Sequence, residues 1–140
     1  MNNSSIKQFI EAGNLTIGIE FGSTRIKTVA IDDNCKTLAT GTFGWENTYQ
    51  DGYWTYSMND AWIGLQKSYS EMTKVIKEQY GTTVKKIKSL GISGMMHGYL
   101  VFDQQEDLLV PFRTWRNNNA NHAAQILREA FQVNIPERWS

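Results

Sequence analysis

The chain has 140 residues, enough for one modest core and too few for two ordinary domains. Its 14 lysines and arginines balance 14 aspartates and glutamates, so the field that draws proteins to nucleic acid or anionic membrane is missing, and small neutral or anionic ligands suit it better. The single cysteine, Cys35, cannot form an internal disulfide and reads as a passive, half-buried thiol of a reducing compartment.

Residues 1–14, "MNNSSIKQFIEAGN", lack a basic start followed by a long apolar run, and no later stretch approaches the ~20 apolar residues of a membrane span. A soluble, cytoplasmic protein is the expectation. Ile6, Phe9 and Ile10 lie at helical spacing before Gly13, so these residues form either a short helix or an arm.

From Leu15 three β-rich runs follow, "LTIGIEF", "RIKTVAID" and "TLATGTFGW", with "DDNC" turning the second into the third. They read as an antiparallel meander, with Ile26, Thr28 and Ala30 on a core face and Lys27, Val29 and Ile31 on a mixed one. "ENTYQDGYWTYS" reads as an ordered surface loop with a turn at Asp51-Gly52. Ser57 or Asn59 then caps a long helix, in which Trp62, Leu65, Tyr69, Met72, Ile76 and Tyr80 form a stripe ending at Gly81. "KIKSLGIS" is a strand entering Gly94, "GYLVFD" a second one turning at "DQQED". An amphipathic helix spans roughly 120–131, with Ala123, Ala124, Ile126, Leu127 and Ala130 available for packing and His122 on its surface. "NIPERWS" reads as the start of a further helix, which favours a truncated chain.

Several chemistries are excluded by pattern. There is no G-x-x-x-x-G-K-[ST] loop, no G-x-G-x-x-G between strand and helix, no zinc-like clustering of Cys35, His97 and His122, and no G-x-S-x-G elbow at Ser93. Three segments remain. In "IGIEFGSTRIK" a tight turn after Glu20 can aim backbone N–H groups and the hydroxyls of Ser23 and Thr24 at phosphate oxygens. Gly22 permits close approach, Lys27 adds positive charge, and Glu20 can hold Mg²⁺ directly or through water. Taken alone, a Gly-Ser-Thr turn is equally ordinary in a β-hairpin. In "GISGMMHGYLVFD" two glycines bracket Met95, Met96 and His97, presenting an imidazole either to a substrate hydroxyl or to nearby backbone. In "FRTWRNNNA" Trp115 can pack on a sugar's C–H face beside asparagines such as Asn118, which are also ordinary loop residues.

The order and spacing of these segments resemble the N-terminal part of the FGGY carbohydrate kinases, and most closely the xylulokinase branch. "IGIEFGSTRIKTVAID" is similar to that family's G-I-D-x-G-T-[ST]-x-x-[KR] phosphate motif. "LGISGMMHGYLVFD" is similar to its G-x-S-G-Q-M-H-G segment, and "PFRTWRNNNA" stands in place of P-x-x-x-W-x-D-x-R. "DGYWTYSMNDAW" resembles the tryptophan-bearing loop before the first long helix.

The resemblance implies an α/β, actin-like ATPase (ribonuclease H-like) domain with a mixed sheet and flanking helices. Residues 1–14 would be an arm or short helix, and residues 15–140 the N-terminal portion of the first kinase domain. It implies ATP and Mg²⁺ as cofactors, a pentulose or related sugar as substrate, and leaves a homodimer open. Gly22, Ser23, Thr24 and Lys27 would bind phosphate, Glu20 the metal, and Met96, His97, Trp54, Trp115 and Asn118 the sugar. The catalytic aspartate is expected beyond residue 140, so the chain alone should be inactive.

Three departures stand out. Glu20 replaces an aspartate, and its extra methylene shifts the metal or requires a bridging water. Met95 replaces a glutamine. Arg116, Asn117, Asn118 and Asn119 replace acidic and basic partners, which unsettles xylulose itself as substrate. The rival expectations are a non-catalytic sugar- or nucleotide-sensing protein of the same fold, and a self-contained interaction domain.

Overall fold

A computed structural model describes residues 2–131. Helix α1 (Asn3–Glu11) opens the chain, with Asn2 as its cap: the Asn2 side-chain oxygen accepts from the Ser5 N–H at 2.9 Å. Ile6 and Ile10 of α1 are buried in the main core, so the leading segment is a docked helix.

Strands β1 (Thr16–Phe21), β2 (Arg25–Ile31) and β3 (Thr37–Gly44) form the expected antiparallel meander. The turn after β2 is built on Asp32, whose carboxylate accepts from the N–H groups of Asn34 and Lys36, both at 2.9 Å. Cys35 in that turn is exposed, with φ 60°, and not half-buried, because the turn projects from the sheet.

Residues 46–57 are more ordered than a loop. Strands β4 (Thr48–Gln50) and β5 (Tyr53–Thr55) pair as a hairpin closed by Asp51-Gly52, both at positive φ as a tight two-residue turn demands. Helix α2 (Met58–Tyr80) follows, capped by Ser57 and ended by Gly81 in the left-handed region at φ 62°. Strand β6 (Ser89–Gly94) then pairs parallel to β1, giving a mixed four-stranded sheet in the order β3-β2-β1-β6. "GYLVFD" forms only single bridges, Tyr99 to Arg113 and Phe102 to Leu108. Helix α3 (Asn121–Phe131) buries none of its residues among those described, so its apolar face remains exposed. The helix start expected in "NIPERWS" lies outside the described residues.

The face of α2 that meets the sheet differs from the expected stripe. Gly64, Ser68, Met72 and Ile76 are buried, whereas Trp62 is 61% exposed and Tyr69 lies at the edge. Backbone proximity explains this: a Cβ placed on Gly41 of β3 would lie 1.9 Å from the Ser68 carbonyl oxygen. Large aromatics cannot enter so close a crossing, so small residues line it. Ser68 donates to the Leu65 carbonyl at 3.1 Å and lies 2.8 Å from the Thr28 hydroxyl, which satisfies both buried groups.

Among the described residues, one face of β1 and β2 is covered and the other is not. Ile17, Ile19, Ile26, Thr28 and Ala30 are buried, while Gly18, Glu20, Lys27 and Val29 occupy the other face. Among the described residues, no helix is long and apolar enough to cross a membrane.

Candidate active site

Three residues, Gly22, Ser23 and Thr24, join β1 to β2. Gly22 N–H donates to the Arg25 carbonyl at 3.0 Å, leaving Ser23 and Thr24 exposed at the tip. Three hydrogen bonds hold its carbonyls on one side. Trp45 Nε1–H donates to Gly22 O at 2.7 Å, Tyr56 Oη–H to Ser23 O at 2.8 Å, and Trp45 N–H to Thr24 O at 3.2 Å. The Trp45 and Tyr56 rings stack with centroids 4.5 Å apart, and Phe112 lies against Tyr56 at 5.5 Å.

This clamp orients the turn. In a trans peptide the N–H points opposite to the preceding C=O. Fixing the carbonyls of Gly22 and Ser23 on the aromatics therefore turns the N–H groups of Ser23 and Thr24 the other way. Neither donor has an acceptor among the described residues. Two free N–H groups and two hydroxyls make a surface suited to an anion.

Glu20 lies beside this turn on the uncovered sheet face, in register with Lys27 on one side and Ser93 on the other. Its Oε1 is 3.7 Å from where a Cβ on Gly22 would sit. Glu20, Lys27 and Ser93 line a cavity of about 470 Å³ with Gly18 and Val29, and Glu20 is its one carboxylate among the described residues. No cluster of three metal-ligating side chains occurs among the described residues. A single carboxylate suits a cation that draws most of its ligands from water and phosphate oxygens, as Mg²⁺ does.

The second and third segments meet at the same end of the sheet. Ser23, Met95, Met96, His97 and Trp115 line one cavity of about 330 Å³. His97 and Trp115 also line a neighbouring one of about 490 Å³, with Tyr53, Tyr99, Arg113 and Asn119 among its other walls. His97 has φ 60°, a left-handed conformation that histidine adopts more readily than most residues. Gly98 follows with no room to spare, since a Cβ there would lie 2.8 Å from the Phe112 ring.

The structure thus gathers Ser23, Met96, His97 and Trp115 and leaves Trp54 and Asn118 outside both cavities. Trp54 carries the Arg116 guanidinium 3.9 Å above its ring, and Tyr49 tilts against it at 5.3 Å. The Asn118 carbonyl accepts from the Asn121 N–H at the start of α3. Residues without a role in the sequence reading prove to be connectors. Arg116 donates to Asn47 at 2.9 Å, and Asn47 to Tyr56 at 3.3 Å, linking the tryptophan loop to the β1–β2 turn. Asn117 accepts from Trp54 N–H at 2.8 Å and donates to the carbonyls of Trp54 and Thr114 at 2.7 and 3.1 Å. The one signal for the Trp45–Tyr56 clamp was that buried tryptophan and tyrosine need partners for their polar atoms.

The profile of the FGGY family of carbohydrate kinases, N-terminal domain, matches residues 15–137. The chain belongs to the FGGY family. It is 22% identical over 111 residues to the xylulose kinase of Escherichia coli K12, across 79% of this chain and 22% of that protein. The chain thus spans about a fifth of that relative's length. Among solved structures it is similar to a xyloylose kinase from Brucella ovis, with TM-score 0.71 and 16% identity over 85% of this chain and 24% of that one. It is also similar to a gluconate kinase from Lactobacillus acidophilus, with TM-score 0.69 and 23% identity over 84% and 23% of the respective chains. The mixed sheet and its helices are those of the actin-like ATPase fold of FGGY sugar kinases.

Within that family frame Asn117 has a structural consequence of its own. Counting P-x-x-x-W-x-D-x-R from Pro111 puts Asn117 at the acidic position. An aspartate there would lose both donated bonds and set a carboxylate against two carbonyl oxygens. Asn117→Asp is expected to destabilise the fold by about 2–3 kcal/mol. Chemical denaturation of the variant beside the parent measures this, and an unchanged midpoint would mean that the Asn117 bonds to Trp54 and Thr114 do not support the fold.

Proposed function

We propose that the complete protein transfers the γ-phosphoryl group of ATP to a hydroxyl of a sugar, in the cytoplasm, and that residues 1–140 alone do not. The observation that carries this reading is the shared cavity: Ser23 of the anion-facing turn and His97 and Trp115 of the sugar-side segments line one space. Phosphoryl transfer needs that adjacency, because positioning and charge stabilisation do most of the work.

Each residue then has a task. The N–H groups and hydroxyls of Ser23 and Thr24 hold phosphate oxygens, Gly22 keeps the approach clear, and Lys27 adds positive potential along the sheet face. Glu20 would hold Mg²⁺ through its carboxylate or a water, and the metal would supply charge neutralisation at the phosphates. Trp115 offers an apolar face to the sugar, Met96 fills its edge, and His97 hydrogen-bonds a sugar hydroxyl.

The test is ADP formation from Mg-ATP by the protein expressed from its complete reading frame, across ketoses, aldoses, polyols and sugar acids, repeated with His97→Ala. Sugar-dependent turnover is expected, with KM for the sugar raised about tenfold in the variant and KM for ATP unchanged. No turnover across the panel, with ATP or sugar still bound, would replace the kinase with a sensing protein of the same fold.

A further inference from the structure

Arg113, in the wall of the sugar-side cavity, has no ion-pair partner among the described residues. Its backbone is fixed by reciprocal hydrogen bonds with Tyr99, at 2.9 and 3.1 Å. Its guanidinium stacks on the Tyr53 ring with the central carbon 3.2 Å from the centroid. Nη1 is buried and has no hydrogen-bond partner, and Arg113 forms no ion pair among the described residues. A buried guanidinium N–H without an acceptor is costly, and native structures rarely leave one so.

The rest of the cavity supplies no counter-charge. Its walls include Tyr53, His97, Tyr99, Trp115 and Asn119, with no aspartate or glutamate, and the adjoining cavity beside Ser23 has none either. In the pattern P-x-x-x-W-x-D-x-R the acidic and basic positions fall on Asn117 and Asn119, so the formal pair is gone from this stretch while Arg113 remains. Losing one acidic and one basic position leaves the net charge of the stretch as it was, and the positive charge of Arg113 meets no carboxylate in either cavity among the described residues.

We propose that the sugar site takes an anionic carbohydrate, a sugar acid, whose carboxylate is received by Arg113. This inference rests on the kinase reading above and narrows it. Guanidinium and carboxylate match as planar, multi-donor partners, and stacking on Tyr53 holds the fork in one orientation before the ligand arrives. A phosphate of ATP is the other available anion, but Arg113 lines only the cavity away from Ser23. The carboxylate therefore sits at the end of the sugar remote from the hydroxyl that is phosphorylated, and the phosphate turn remains free for the nucleotide.

The experiment uses the protein from its complete reading frame and matched pairs of probes: gluconate against glucitol, and xylonate against xylitol, with ADP formation from Mg-ATP as readout. The acid of at least one pair is expected to exceed its neutral partner about 10- to 100-fold in kcat/KM. Arg113→Met should abolish that preference and leave KM for ATP within twofold, and Arg113→Lys should recover part of it. Neutral partners preferred over the acids, with sugar-dependent turnover intact, would overturn the sugar-acid assignment and leave the kinase reading standing. A rise in KM for ATP in Arg113→Met without change toward the acids would reassign Arg113 to the nucleotide. Silence with every carbohydrate tested would overturn both. If Arg113→Met fails to fold, the acid-to-neutral ratio of the parent protein decides alone.

Discussion

Gly41→Ala is expected to cost about 3 kcal/mol or more, or to prevent folding altogether. The added methyl would fall 1.9 Å from the Ser68 carbonyl oxygen and 2.5 Å from the Met72 nitrogen, both backbone atoms of α2. A flexible side chain can turn aside, whereas a helix must move as a body. Such a shift would open the Thr28–Ser68 contact and the packing of Met72 and Ile76, all fully buried. Gly18→Ala is the control, because nothing lies within 4 Å of a Cβ there on the uncovered face. Its stability should stay within about 0.5 kcal/mol of the parent or rise slightly, since alanine narrows the unfolded ensemble. Urea titration of both variants reads the difference, and equal midpoints would show that the helix–strand approach is not the tight contact described here.

The same crossing shows where sequence periodicity succeeds and where it fails. The caps and length of α2 were legible, because Ser57 and Gly81 carry local chemistry that no distant residue alters. Its buried face was not. A hydrophobic stripe built on Trp62 and Tyr69 weighs residues by apolar area, but the sheet is approached by Gly64 and Ser68, which are small. The β1–β3 meander and the strand β6 followed from alternation and turn residues. The hairpin of β4 and β5 has three residues per strand, too few for alternation to register, although its Asp51-Gly52 turn was visible.

The candidate site divides in the same way. Ser23, Met96, His97 and Trp115 could be named from motif order, and they line common space. The residues that hold them in place could not. Trp45 and Tyr56 bind backbone carbonyls of the turn, and Asn117 binds backbone atoms of Trp54 and Thr114, so their partners have no side-chain identity to read. Trp54 illustrates the cost of reading an aromatic in isolation, since Arg116 already covers one face of its ring.

The clamp on the β1–β2 turn yields the second large effect. Trp45→Phe keeps most of the aromatic packing but deletes the donor to Gly22 O, and Tyr56→Phe deletes the donor to Ser23 O. Each carbonyl then loses the contact that aims the following N–H at the anion. A neutral hydrogen bond contributes roughly 0.5–1.5 kcal/mol, so each single variant should raise KM for ATP about 2- to 10-fold. The double variant should raise it about 10- to 100-fold. Its two effects need not add, because Trp45 and Tyr56 stack on each other and act on one short turn. KM for the sugar should change less than twofold, since the two deleted hydrogen bonds end on Gly22 O and Ser23 O and neither reaches His97 or Trp115. That split separates positioning of the turn from general loss of structure, which would damage both sites together. Thermal melts of the same preparations complete the distinction. A double variant with unaltered ATP affinity and an intact fold would mean that the turn keeps its N–H groups outward without the aromatic clamp, and that Ser23 and Thr24 alone determine its conformation.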